Sequence, residues 1–348
     1  MNLIWLLACA SPLRSGPCTV DLDGPIVVAA TAEDFYATGG LAAASLDGTR
    51  VCDVATMTGD PDVDVVGDVV YAIERRGGDV VRRYDDLTTP PTWEVSTGEL
   101  SNPYAVVGND QRLMVPRLAE ARLLVLDAED GSEQTTIDLT PWADADGIPE
   151  AAFAVFEGDR GLVLLQRMDR GDGWTPAPTA NVVGVDLTSG NVAFDLSVGP
   201  NPVMVAHPDG GAVVADEAGG WWRVEMDGTV EGPFVDDALG LVREFSIATD
   251  GRVVAVERDC TSCAEHTVVC REAWNGPVTA RTEPWPMFFS DVLVVDDTIW
   301  LAARRGWEDT VALGGGYVTM PLATCGPVPE PETWLRGTFA PFSLDLRR

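Results

Sequence analysis

Leu123-Leu-Val-Leu-Asp127-Ala-Glu-Asp-Gly131 can be laid over Val182-Val-Gly-Val-Asp186-Leu-Thr-Ser-Gly190 with the aspartate and the glycine in step. In both, a short apolar run enters a turn led by aspartate and closed by glycine. Runs of four to six β-favouring residues bounded by turn formers predict strands, and Asp with Gly supplies the tight turn that an antiparallel hairpin needs. Shorter copies are Ala44-Ser-Leu-Asp47-Gly48 and Val224-Glu-Met-Asp227-Gly228. A second marker recurs with them: Asn102-Pro103 and Asn201-Pro202 lie about 25 residues before Asp127 and Asp227. Two markers at one offset indicate an internal repeat.

Working outward, the chain divides into approximately 26–60, 61–98, 99–140, 146–198, 199–236, 240–284 and 286–325. Units of about 35 to 50 residues have the length of a four-stranded propeller blade. The expected fold is all-β: a propeller of seven blades, each of four antiparallel strands. A pair of β-sandwiches, or a ring of six or eight blades, is the competing architecture. Ring closure uses strands from the chain ends, and Thr338–Leu346 and Cys18–Leu22 are the candidates.

The chain has 348 residues, 55 acids, 23 bases and 2 histidines, for a formal net charge of −32. Every base is arginine. With 46% apolar residues the chain can bury a core. A surface this acidic repels a phosphate backbone, which argues against nucleic acid as a partner.

The start, Leu3-Ile4-Trp5-Leu6-Leu7-Ala8-Cys9, is too short an apolar run to span a bilayer. Leu6-Leu7-Ala8-Cys9 resembles a bacterial lipobox. The resemblance implies a signal peptide over 1–8, lipidation at Cys9, a tether over 9–17 and a single propeller domain over 18–348. The positive charge and longer apolar region of an ordinary secretory signal are missing.

With Cys9 set aside, six cysteines remain: Cys18, Cys52, Cys260, Cys263, Cys270 and Cys325. An even number fits disulfides in an oxidising compartment. Cys18 can pair with Cys52, and the other four allow three connectivities. Zinc ligation by Cys260, Cys263, Cys270 and His266 is the alternative.

A longer block is similar to known proteins. Gln111-Arg-Leu-Met-Val-Pro, Leu124-Val-Leu-Asp127, Gly131 and Thr136-Ile-Asp-Leu resemble a YVTN-type bacterial propeller repeat, with Leu113-Met-Val-Pro116 in place of the Tyr-Val-x-Asn strand. Ser96-Thr97-Gly98, Ser101-Asn102-Pro103, Ala143-Asp-Ala-Asp-Gly-Ile-Pro-Glu150 and Gln166-Arg-Met-Asp-Arg170 resemble propeller lipoproteins of Gram-negative, myxobacteria-like bacteria. That resemblance covers about residues 96–200. It implies a lipoprotein of the outer membrane, facing the periplasm or the cell surface, and no defined reaction.

Motifs for chemistry are sparse. Gly314-Gly-Gly316 lacks a following lysine and helix, and neither His207 nor His266 sits beside a nucleophile. No catalytic residue is assigned. Asp144-Ala-Asp146-Gly147-Ile-Pro-Glu150 resembles the start of a calcium loop, making Asp144, Asp146 and Glu150 the metal candidates. The plainer reading is a rim loop whose carboxylates cap turn N–H groups. Calcium is the one cofactor suggested. Trp93, Trp142, Trp174, Trp221, Trp222, Trp285 and Trp307 fall where loops are expected. Most should fill gaps between blades, and any exposed one could stack on a sugar or anchor a protein. The functional expectation is a lipid-tethered binding or scaffold module with an envelope protein or glycan as partner. The alternative is a propeller hydrolase or lactonase with a carboxylate or metal site at the central channel.

Overall fold

A computed structural model describes residues 18–32, 38–58, 60–235, 241–258, 265–285, 288–304, 315–329, 335–336 and 340–348. Consecutive strands pair antiparallel throughout, and they form seven main sheets, six of them with four strands. Blade two is Pro61–Val66, Val69–Glu74, Val80–Tyr84 and Trp93–Ser96. Blades three to six repeat that order, starting at Val107–Gly108, Ala151–Glu157, Val203–Ala206 and Leu241–Ile247. Blade seven has Phe288–Val295, Thr298–Arg304 and Gly316–Pro321, with Leu335 bridged to Tyr317 beyond its third strand. In blade one the innermost strand is the C-terminal Ala340–Arg347, paired with Ile26–Ala32, which is followed by Thr38–Ser45 and Val51–Thr58. The molecule is therefore a seven-bladed β-propeller closed by its own C-terminus.

Alternation along each strand explains why the blades stack. Successive side chains point to opposite faces, and each face meets a different neighbour. Val213 and Ala215 pack with Val253 and Ala255 of blade six, whereas Ala212 and Val214 pack with Leu162 and Leu164 of blade four. Trp221 and Trp222 divide in the same way, one to each interface. A hydrophobic cluster of this kind fills every junction around the ring, including the one between blades seven and one, where Val27, Trp300, Tyr317 and Leu344 meet. Second strands such as Val69–Glu74 and Arg160–Leu165 are buried almost throughout, being covered on both faces. Outer strands such as Asn191–Val198 alternate between exposed and half-buried.

The aspartate-led turns form as the repeat predicts. Asp127 Oδ1 accepts from Glu129 N, Asp186 Oδ1 from Thr188 N, and Asp227 Oδ1 from Thr229 N. Gly131, Gly190 and Gly228 follow with φ of 75°, 70° and 88°, a conformation open to residues without a Cβ. Asn102 and Asn201, the second marker, share a left-handed backbone at φ 54° and 42°.

The C-terminal closing strand is the expected one. The N-terminal candidate is not: Cys18–Leu22 forms no strand, because blade one already has four strands without it. That segment is fixed instead by the Cys18–Cys52 disulfide and by Arg50 Nη1, which donates to Thr19 O at 2.6 Å. A second disulfide, Cys270–Cys325, ties blade six to the segment leaving blade seven and closes 55 residues of sequence. Crosslinks over such spans are worth about 2–4 kcal/mol. A Cys270→Ala/Cys325→Ala double variant is therefore expected to melt several degrees below the parent. An unchanged melting temperature would show that the blade contacts alone hold this junction. Cys9, Cys260, Cys263 and Trp307 lie outside the described residues.

Candidate functional site

Strand alternation sorts the connections onto two faces. Turns from first to second strand and from third to fourth share one face. Many are short, such as 67–68, 158–159 and 187–190, and 85–92 is a longer one. Connections from second to third strand, and from one blade to the next, share the other face. These include the long segments 97–106, 139–150 and 166–179, whereas 322–329, which follows the third strand of blade seven and donates from Leu322 N to Asp297 O, lies on the short-turn face.

Inside the channel the first strand of each blade is an edge strand, with N–H groups that its own sheet does not use. Buried N–H groups need acceptors, and side chains of the preceding blade supply them. Asp291 Oδ2 accepts from Leu344 N at 2.7 Å, Asp345 Oδ2 from Val65 N at 2.5 Å, and Asp64 Oδ2 from Val106 N at 2.5 Å. Ser343 Oγ accepts from Val63 N at 3.2 Å and Ser246 Oγ from Val294 N at 3.1 Å. Each bond runs from one blade to the next around blades six, seven, one, two and three.

These staples gather like charge. Asp62, Asp64, Glu244, Asp291 and Asp345 are each partly open to the channel and enclosed by protein elsewhere. Burial pushes Asp291 up to about 8, against the bond from Leu344 N, with the charge of Asp62 adding to the rise. Burial also lifts Asp345 to about 7, and carries Asp64 and Glu244 well above the usual carboxylate range. Asp62 is raised by burial despite the neighbouring Arg75. The Glu244 carboxylate accepts no hydrogen bond among the described residues.

At the channel mouth, side chains from successive blades hold one another. The Arg304 and Arg75 guanidinium groups lie 4.9 Å and 4.8 Å from the Phe342 ring, and Arg75 lies 4.5 Å from the Tyr104 ring. Arg75 also donates to Asp62 at 3.1 Å and Asp60 at 3.0 Å. Across blades four to six, Gln166 Nε2 donates to Asn201 Oδ1 at 3.5 Å, Asn201 donates to Glu217, and Glu217 lies 3.6 Å from Arg243. The two strings together draw on all seven blades.

The candidate calcium residues lie on this face too. Asp144 Oδ1 accepts from Asp146 N, and Asp146 accepts from Ile148 N and Arg170 N. Glu150 is fully buried; its Oε2 accepts from Met168 N, and its Oε1 lies 3.2 Å from Arg170 Nε. Burial, then Asp144 and Asp146, push Glu150 up to about 7 against the Met168 bond. Asp144 Oδ2 is buried without a hydrogen-bond partner. Among the described residues no three His, Cys, Asp or Glu side chains are grouped to hold a metal ion as they stand.

The zinc alternative for the cysteine cluster is overturned. Cys270 is in a disulfide, and His266 is buried with Nδ1 accepting from Phe289 N at 3.3 Å. His207 sits on the short-turn face and accepts from Asp209 N at its own Nδ1. Of the tryptophans, Trp221 and Trp222 are strand residues buried between blades, and Trp93, Trp142 and Trp285 are half-buried. Trp174 is exposed on a long loop. The channel acids were missed by sequence reading, although Asp64 and Asp345 each stand alone between two apolar strand residues.

No family model matches the chain, and no curated protein sequence matches it. Solved structures do resemble it. A putative 6-phosphogluconolactonase from Bacteroides fragilis has a TM-score of 0.63 at 13% identity, covering 95% of this chain and 99% of that one. Apo AztD from Citrobacter koseri has a TM-score of 0.54 at 13% identity, covering 92% and 97%. Kuenenia stuttgartiensis hydrazine synthase has 0.56 at 14% identity, covering 85% and 99%. At these identities the likeness concerns the fold.

Proposed function

We propose that this propeller is an exported binding module, tethered through a lipid on Cys9 and presenting its long-loop face to an envelope protein or glycan. The observation that carries the reading is that the long connections 97–106, 139–150 and 166–179 gather on one face, beside the string of side chains that runs from blade to blade there. Two disulfides support an oxidising compartment. The lipobox and the resemblance to YVTN-type envelope lipoproteins support an outer-membrane location. The test places a photo-crosslinking residue at Arg167 or Glu217 on the long-loop face, and at Asp159 or Asp209 on the short-turn face. Crosslinked partners are expected from the first pair alone. Equal yields from both faces, or none from either, would overturn the reading. Mass spectrometry of the mature protein reads the Cys9 lipid directly.

Calcium at Asp144, Asp146 and Glu150 belongs to the same proposal. A bound ion would take the free Asp144 oxygen and compete with Arg170 for Glu150. Its mark is a melt raised by a few degrees at millimolar calcium, as mass action requires. An unchanged melt removes calcium.

The second reading is a channel hydrolase or lactonase. It is favoured by the five channel carboxylates, with Glu244 as the one that no backbone N–H occupies. Turnover of a sugar lactone that is lost in Glu244→Gln, with the fold intact, would establish it.

A further inference from the structure

Five large apolar side chains are exposed among the described residues, and they fall in two places. Val230, Phe234 and Val235 lie on the outer strand of blade five, where exposure follows from the edge position and Pro233 withholds an N–H from any further strand. Leu100 and Trp174, 70% and 42% exposed, have no such account. Both sit on the long-loop face in a left-handed backbone, at φ 59° and 66°, which bulky L residues avoid.

The surroundings hold them there. Asp79 accepts from Leu100 N and Asn102 N, each at 2.8 Å, and is itself buried. Trp174 N donates to Asp169 O at 2.9 Å, and the Arg170 guanidinium lies 5.0 Å from its ring. One loop joins the two positions: Ala119 N donates to Ser101 O, and Arg170 donates to Leu118 O. Exposed or half-exposed acids frame them, Glu99 and Glu120 on one side and Asp172 on the other. None of these three is in an ion pair among the described residues. Three nearby bases are turned inward: Arg117 on Thr97 O and Arg122 O, Arg167 on Thr179 O, and Arg170 on Glu150 and Leu118 O. Arg76, 3.8 Å from Asp60, and Arg122 stay exposed and are outnumbered by the exposed and half-exposed acids Glu99, Glu120, Asp146 and Asp172.

Apolar anchors amid an excess of unpaired negative charge fit a partner carrying apolar side chains and positive charge. We propose that the long-loop face over blades two to four docks a basic protein segment, which seats apolar side chains against Leu100 and Trp174. The proposal rests on the binding-module reading and deepens it.

The test pans a random peptide display library on the full chain and measures the most enriched peptide, synthesised with a dye, by fluorescence anisotropy. Enriched peptides should combine Arg or Lys with Leu, Phe or Trp. Leu100→Asn and Trp174→Ser should each weaken binding about tenfold, the scale of an interface anchor. Added salt should weaken it further. A Val230→Ser/Phe234→Ser control on blade five should bind as the parent does. Leu100→Asn should also melt no lower than the parent, because Asn accepts the left-handed backbone better than Leu. Enrichment of neutral or acidic peptides, affinity unchanged by both variants, or binding to glycans in place of peptides would each overturn the proposal. Peptide binding that instead depends on Arg167 or Glu217 leaves the binding-module reading standing without this surface. Failure of both peptide binding and long-loop crosslinking removes the two together.

Discussion

Deleting residues 340–348 is expected to abolish the cooperative unfolding transition, not merely to lower its midpoint. The segment is the innermost strand of blade one, paired along its length with Ile26–Ala32. Its side chains reach both neighbours. Ser343 and Asp345 accept from Val63 N and Val65 N of blade two, and Leu344 N donates to Asp291 of blade seven. Ser290 Oγ of blade seven donates to Phe342 O at 2.8 Å, and Arg347 donates to Leu22 O, Asp68 O and Asp85 O. Removal opens the ring and uncovers the cluster around Val27, Trp300 and Tyr317. Loss of a full strand ladder and one blade interface exceeds the roughly 5–15 kcal/mol by which domains are stable. Circular dichroism on heating is the measurement, and a sharp transition within about 5 °C of the parent would refute it. A synthetic peptide of residues 340–348 added in trans should restore the transition in part.

The second large effect is on pH. The unfolded chain ionises its carboxylates near pH 4, whereas the folded channel keeps protons on Asp345 and Asp291 up to about 7 and about 8. Folding takes up protons, so stability that is present in acid is lost as pH rises through the folded values. Between pH 6 and pH 8, Asp291 alone accounts for a loss on the order of 3 kcal/mol, reduced by screening from the channel side. His266 works in the opposite sense. Burial first, then Arg258 and Arg243, lower it to about 4, so its contribution is present above its ordinary value and lost as pH falls towards 4. Two raised acids outweigh one lowered histidine from about pH 4 upward, so these groups place maximum stability on the acid side, at roughly pH 4–5. The melting temperature should fall by roughly 3–8 °C between pH 6 and pH 8. Asp291→Asn keeps an acceptor for Leu344 N but cannot ionise, and should flatten that fall. A parent protein more stable at pH 8 than at pH 6 would contradict the argument.

Much of the scaffold was legible in the sequence because its determinants are local. The aspartate and the left-handed glycine of each turn act within four residues, and the strand runs they bound repeat at blade length. The boundaries read at 61–98 and 146–198 enclose the observed strands of blades two and four, from Pro61 to Ser96 and from Ala151 to Val198. The pairing of Cys18 with Cys52 was also readable from position. The channel was not. Asp62, Glu244, Asp291 and Asp345 come together only when the ring closes, and among 55 acids the one local signal is an acid set alone between apolar strand residues, as at Asp64 and Asp345. The misplaced closing strand at Cys18–Leu22 has a similar cause: alternating Thr19-Val-Asp-Leu22 looks like a strand, but three strands from 26–58 and one from the C-terminus leave no edge for it inside the ring.

The acids thus fall into two populations. Turn aspartates such as Asp47, Asp186 and Asp227 are held below the usual carboxylate range by hydrogen bonds from their own turns, so they are ionised across the neutral range. Among the channel acids, burial keeps protons on Asp291 and Asp345 up to about 8 and about 7 and raises Asp62, Asp64 and Glu244 as well. A molecule with a formal charge of −32 should therefore migrate in an electric field as if it were less charged. Its mobility should rise with pH across the neutral range, where a collection of ordinary carboxylates would be flat. The interior of the ring behaves as a charge regulator, buffering the outer field of the protein against changes in the surrounding medium.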